Sequence, residues 1–231
     1  MKKALTLACL AAIPMSLFAA SDHAALDERL DKAKIVVAEL MKTPDNGVPD
    51  SVMRNATCVA VVPSLKKGAF IVGAQYGQGV VTCKTATGWS SPVFIRMAGG
   101  SWGLQIGAEG TDLVLIAVND RGMQRLISDK FKIGADAAAV AGPVGRTAEA
   151  STDWKMNAEL LTYSRSKGLL VGINLDGTSV SKNTDDTDEF YGAAHATREI
   201  LHGDVPTPPA AQAFVDTVAD FSRMSQEHAQ R

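Results

Sequence analysis

The chain has 231 residues, with 23 Lys and Arg against 25 Asp and Glu and 46% hydrophobic residues, which suits one domain with a substantial core. It has no basic surplus of the kind that marks a general nucleic-acid binder. Met1 to Ala20 has the layout of a secretory signal peptide: Lys2 and Lys3, an apolar stretch from Ala4 to Ile13, a break at Pro14, and a run closing on Ala19 and Ala20. Cleavage is expected near Ala20 or Ser21, leaving residues 21–231 as a single domain. Removing Lys2 and Lys3 from the 23 basic residues leaves 21 against 25 acidic ones, a net charge of −4. Cys9 lies inside the apolar core of the signal and is not a lipidation cysteine. No other stretch is long and apolar enough to span a bilayer as a helix, so any membrane contact of the exported chain is expected to be peripheral.

Along the chain, Leu26, Leu30, Ala33, Val37 and Leu40 fall at helical spacing and predict an amphipathic helix over 22–42. Acidic Asp22, Asp27, Glu28, Asp31 and Glu39 offset Arg29, Lys32, Lys34 and Lys42, so this helix is not basic and its apolar face is expected to pack on the domain. A short helix follows from Asp50 to Ala56. The glycine-punctuated apolar tract from Cys58 to Ile95 then opens a sheet, with strands expected at 57–62, 69–76, 79–84, 92–97, 102–107 and 112–118. Gly73, Gly77, Gly103 and Gly107 predict bulges or bends that curl the sheet toward a barrel. Residues 120–129 read as a helix, strands resume at 137–141, 160–164, 169–174 and 179–181, and the chain is helical from Thr187 onward. A closing helix from Pro208 to Met224 carries the stripe Ala211, Phe214, Val218 and Phe221. Lys67-Gly68-Ala69-Phe70 and Lys167-Gly168-Leu169-Leu170 read as the entries of two similar hairpins. The expected fold class is therefore α+β: a strongly curved, mostly antiparallel sheet flanked by N- and C-terminal helices.

Two cysteines survive maturation. In an oxidising compartment Cys58 and Cys83 are candidates for a structural disulfide, the alternative being that Cys58 is a buried small hydrophobe and Cys83 an unrelated strand residue. Neither has a partner cysteine at redox-motif spacing.

The ordered blocks CVAVVP from Cys58, Lys67-Gly68-Ala69-Phe70, Tyr76-Gly77 with Gly79, Gly88-Trp89-Ser90, Gly134-Ala135-Asp136, Gly142-Pro143-Val144-Gly145-Arg146, Tyr163-Ser164 and Tyr191-Gly192 resemble the SYLF domain family over residues 30 to 225. That resemblance implies binding of anionic phospholipid head groups, phosphoinositides in eukaryotic members, with an N-terminal amphipathic helix and nearby lysines taking part. Actin binding, the activity of the family's yeast members, is not expected of an exported chain. Lys66 and Lys67, adjacent cations beside a glycine, are the leading lipid-binding candidates, and Lys130, Lys132, Arg146, Arg165 and Lys167 extend the patch. The competing account of each is a solvated loop charge.

Catalytic chemistry finds no constellation. His195, Glu199 and His202 share a face of a predicted helix, yet they depart from HExxH and lack a fourth ligand, so no metal site is assigned. Asp185, Asp186, Asp188 and Glu189 lack EF-hand spacing and read as charge at a helix N-terminus. There is no Gly-x-Ser-x-Gly elbow, the 142–146 loop lacks a Walker ending, and Gly77 and Gly79 lack the third glycine of a dinucleotide fingerprint, so no cofactor is expected. The resulting expectation is a non-catalytic, periplasmic or secreted lipid-binding domain working at an anionic phospholipid membrane surface. The alternative is a protein-interaction or envelope-structural module with an envelope protein as its partner.

Overall fold

The computed structural model describes residues 16–42, 47–69, 72–102, 111–145, 158–166, 169–228 and 230. A strongly curled mixed sheet forms the body, with strand order β6-β10-β4-β2-β1-β5-β8-β7; β3 pairs with β2 and β9 with β8. The strands are β1 (Cys58–Ala69), β2 (Val72–Thr85), β3 (Gly88–Trp89), β4 (Val93–Trp102), β5 (Thr111–Ala117), β6 (Lys130–Lys132), β7 (Ala139–Ala141), β8 (Leu160–Ser166), β9 (Leu169–Gly172) and β10 (Ser179–Lys182). The helices are α1 (Ser16–Met41), α2 (Asp50–Asn55), α3 (Asp120–Ile127), α4 (Thr184–Tyr191), α5 (Thr197–His202) and α6 (Pro209–His228). Among the described strands only β7 runs parallel to its neighbour, so the sheet is mostly antiparallel, and it is flanked by an N-terminal and a C-terminal helix.

Both faces of the central strands are buried, which is why Cys58 to Val62 is apolar without a break. Val59, Val61, Val80, Phe94, Val114 and Ile116 point to one side. There they meet the predicted stripe of α1, from Leu26 to Leu40, and Ala211, Phe214, Val218 and Phe221 of α6. The alternate set, Ala60, Val62, Val81, Ile95, Leu113 and Leu115, packs with α3 and α5. Helix α1 therefore lies on the domain, its apolar stripe inside one core. It starts at Ser16, ahead of the expected cleavage point, while residues 1–15 fall outside the described residues.

The structure corrects several element boundaries. Of the expected strand 69–76, Ala69 ends β1, and from Val72 it forms one strand, β2, with the expected 79–84, because Gly77 and Gly79 do not interrupt it but admit a bulge in the strand opposite. Between Val61 and Lys66, β1 advances one residue more than β2, and Ser64 takes a left-handed φ of 55° at that point. A Cβ at Gly79 would stand 2.2 Å from the Val61 carbonyl oxygen, so this close approach requires glycine. Gly192, at φ 67°, separates α4 from α5 where one continuous helix was expected. β6 is a strand the sequence reading passed over, three residues being too few for periodicity to register. Of the expected strand 102–107, Trp102 ends β4 and the remainder lies outside the described residues.

Cys58 and Cys83 face each other directly across β1 and β2 and are joined by a disulfide, both fully buried in the α3–α5 core. The expected Lys-Gly hairpins correspond to the antiparallel pairs β1–β2 and β8–β9.

Candidate functional site

Sheet register brings together residues that are far apart in the chain. Lys66 on β1 stands opposite Tyr76 on β2, Tyr76 opposite Ala98 on β4, Ala98 opposite Ser179 on β10, and Ser179 opposite Lys132 on β6. Directly opposed residues project from the same face, so these five form one transverse row. Four strand spacings put its two end lysines about 19 Å apart along the sheet. The adjacent row on that face runs Gln78, Arg96, Ser181 and Lys130. Phe131, Val180 and Met97, the residues between the rows, turn into the opposite core and fix which face the lysines take.

This part of the face is open. Lys66, Lys130 and Lys132 are exposed, as are Ala74, Ala98 and Gly100, and Tyr76 is 47% exposed in their midst. None of the three ammonium groups has a carboxylate partner among the described residues, although the Lys132 backbone N–H donates to the Asp136 carboxylate at 2.7 Å. Arg96 is partly neutralised, lying 3.5 Å from Asp185 and 3.9 Å from Asp186. At the β6 edge, a 2.6 Å hydrogen bond from Lys182 and its charge hold the Asp129 carboxyl below its ordinary pKa.

The border between open and covered face is set by α1. Arg29 donates to Asp186 and, at 3.0 Å, to Gln78, and its guanidinium lies 5.3 Å from the centre of the Phe94 ring. A groove of about 260 Å³ follows this seam between α1 and the β1 bulge; its walls include Glu28, Lys32, Ser64, Lys66 and Tyr76. Lys32 is held by Glu28 at 2.8 Å, which leaves Lys66 as the groove's cation without a carboxylate partner among the described residues.

Lys67 continues β1 opposite Gln75. Its side chain, and the whole of Arg146 and Lys167, fall outside the described residues. Arg165 has a structural setting: on β8 it forms ion pairs with Glu39 of α1 and, at 2.8 Å, with Asp112 of β5. It clasps the C-terminal half of α1 to the sheet and is not part of the open row. Burial raises the Asp112 carboxyl, opposed by the hydrogen bond it accepts from the Ser64 N–H at 3.0 Å. His195 precedes α5 and stacks edge-on against Tyr191 at 5.7 Å, so His195, Glu199 and His202 do not share one helix face. Asp185 and Asp186 stand in the first turn of α4, as their charge suggests, and bind the arginines of α1 and β4. Sequence reasoning missed Tyr76 as a site residue, because only the pairing register places it between two lysines.

The family model described as "Ysc84: Las17-binding protein actin regulator" matches residues 98–221, more than half of the chain. The rat protein named SH3 domain-containing YSC84-like protein 1 is 32% identical over 190 residues, covering 81% of this chain and 56% of the relative. Protein YSC84 of Saccharomyces cerevisiae is 34% identical over 172 residues, 72% of this chain and 36% of the relative. LAS seventeen-binding protein 3 of the same yeast is 31% identical over 195 residues, 80% of this chain and 42% of the relative. The chain thus spans about half the length of these curated relatives or less; the yeast LAS seventeen-binding protein 3 is named for binding, and the family model for binding and actin regulation. On the matched residues and the aligned length together, the chain belongs to the Ysc84 family, the SYLF-domain proteins that its glycine-punctuated blocks resemble.

Proposed function

We propose that the chain is a non-catalytic module that binds anionic phospholipid head groups, phosphoinositide types among them, at a membrane surface. The observation that carries this reading is the row from Lys66 to Lys132, with exposed cations at both ends, a half-exposed tyrosine next to Lys66 and small side chains at the two positions between it and Lys132. A face about 19 Å wide suits a surface of several head groups better than one small anion. Each lysine held near an anionic leaflet contributes about 1 kcal/mol, and the contribution weakens with salt. No helix of the described residues is long and apolar enough to cross a membrane, so the contact is taken to be peripheral. The signal-like segment at residues 1–20 supports a periplasmic or secreted location, which N-terminal sequencing of the exported protein tests.

Flotation with vesicles of graded anionic lipid content tests the binding. Wild-type protein is expected to float with anionic vesicles, less so at high salt, and Lys66→Glu/Lys67→Glu is expected to float less while staying folded by circular dichroism. Equal flotation of the two proteins removes these residues from the mechanism, and no flotation of the wild type with any anionic lipid overturns the reading. A second reading, a protein-interaction or envelope-structural module, is favoured by the relatives named as Las17-binding and by Leu169 and Val171 of β9, exposed by 63% and 42% on one face of the strand.

A further inference from the structure

The end of β2 opposite the lysine row carries a separate cleft. Thr85 lies about 30 Å along the strand from Tyr76. Beside it lies Gly203, the C-cap of α5, and the strap 204–208 is held where Ser91 Oγ meets the Val205 carbonyl at 3.0 Å and Thr207 Oγ1 at 2.9 Å. A cleft of about 720 Å³ opens between this strap, α5 and the end of α4; its walls include Tyr191, His195, Glu199, Asp204, Pro206 and Pro209.

Its chemistry is the opposite of the row's. Glu199 and Asp204 are exposed, and neither has an ion-pair partner among the described residues. From Thr184 to Asp204 the chain holds six acidic residues against one arginine, Arg198, and two histidines, His195 and His202; Arg29 and Arg96 answer only Asp185 and Asp186. The aromatic wall is pre-set: Tyr191 donates its hydroxyl to the Pro92 carbonyl at 2.8 Å and meets His195 edge-on at 5.7 Å. Glu199 is oriented by accepting the Ala196 N–H at 3.2 Å. Carboxylates beside aromatic rings and flat proline surfaces suit a cationic side chain whose stem lies on apolar ground.

We infer that this cleft binds an arginine- or lysine-bearing segment of a partner polypeptide. The commitment to a polypeptide rests on the cleft's size and open side, with prolines available to flank an extended backbone, and that to a cation rests on charge complementarity. Because the cleft and the lysine row occupy opposite ends of β2, a partner held here leaves the cationic face free. An anionic surface would likewise meet the cationic face and not the acidic cleft.

The test uses the full exported chain and a capped hexapeptide carrying two arginines, with its citrulline counterpart as a neutral probe of the same shape. Amide shifts on titration are expected at residues 191–209 with the arginine peptide and not with the citrulline one. Glu199→Gln/Asp204→Asn is expected to weaken binding by about fivefold or more. The glutamine retains the capping acceptor, so the helix start survives. Asp216→Asn, a neutralisation of exposed charge on α6, is expected to leave binding unchanged. The inference is overturned by equal binding of the two peptides, by shifts centred elsewhere, by an undiminished double variant, or by no binding at millimolar peptide. Vesicle flotation of the same double variant is expected to match wild type, so failure here is separable from failure of the lipid-binding reading.

Discussion

One strand, β2, presents two kinds of surface on the same face. Val80 is fully buried beneath the helices, Gln78 is half-buried, and Tyr76 is 47% exposed, although all three project the same way. The change occurs within four residues, at the point where Arg29 of α1 reaches Gln78 and Asp186. At the far end of the strand, beyond Val80, the disulfide ties β2 to β1, α5 packs against the sheet, and Ser91 anchors the strap. Alternation of side chains decides which face a residue occupies, and the reach of the covering helix decides whether that face is core or surface. The small side chains on the open half, Ala74, Ala98 and Gly100, offer little apolar area for a helix to bury, which is consistent with none of the described helices lying there.

The sharpest way to separate the two ends is to weaken the closed one. Cys58→Ala/Cys83→Ala removes a cross-link between residues 25 apart, and the lost constraint on the unfolded chain corresponds to about 3 kcal/mol. Urea unfolding of the oxidised wild type and the variant measures this as a lower midpoint. At temperatures where the variant is folded, its flotation with anionic vesicles is expected to match wild type, because the lysine row lies at the other end of the β1–β2 pair. Flotation that fell with stability would show that the open face depends on the disulfide-bearing end.

The next largest effect concerns the border itself. Arg29→Met keeps the side chain's apolar length but strips Asp186 of its closest cation among the described residues, leaving Arg96 at 3.9 Å. Both side chains are mostly buried, with exposures of 13% and 19%, so a loss of about 2 kcal/mol is expected, below the full figure for a wholly buried pair. Hydrogen exchange is expected to rise in the Leu26 to Ala33 turns of α1, while the α6 amides from Phe214 to Phe221 change little. Uniform deprotection of both helices would instead make Arg29 a global stabiliser and not a border post.

The elements that build this comparison differed in how far the sequence disclosed them. The stripes of α1 and α6 were legible because each buries one face at a fixed period. The central strands were legible as apolar runs, yet their lengths were not. Gly77 and Gly79 look like breaks in one dimension, and only the bulge in β1 shows what their missing Cβ atoms make room for. The lysines were visible one by one, but their alignment depends on register across five strands, which no local pattern encodes. Arg165 is the reverse case. As a residue it looked like Lys66, and only the fold brings Glu39 and Asp112 to it.

If the row acts as a unit, its far end must contribute alongside Lys66. Reversing charge in Lys132→Glu is expected to weaken vesicle binding by about thirtyfold, since a lost attraction and an added repulsion each amount to about 1 kcal/mol. Lys182→Glu, one strand away, is expected to do less, because Asp129 already holds that ammonium at 2.6 Å. Flotation isotherms at two salt concentrations distinguish the outcomes, and equal losses in both variants would indicate a diffuse field with no defined row.

The smallest expected effect falls on Tyr76, and it sharpens what the row does beside Lys66. Its ring stands between cations yet is only partly exposed, so the area it can give to a membrane interface is a fraction of a full side chain. At about 25 cal/mol per Å², such a fraction corresponds to about 1 kcal/mol, comparable to one lysine. Salt separates the two contributions. Screening weakens the lysines, whereas burial of a ring is indifferent to ionic strength or slightly favoured by it. Tyr76→Ser is therefore expected to reduce vesicle binding modestly at low salt and by the same factor at high salt, while Lys66→Glu loses most of its effect as salt rises. A Tyr76→Ser effect that vanished with salt would show that the ring only positions the Lys66 ammonium opposite it. A persistent effect would mean that the open half of β2 meets the membrane with apolar contact as well as charge.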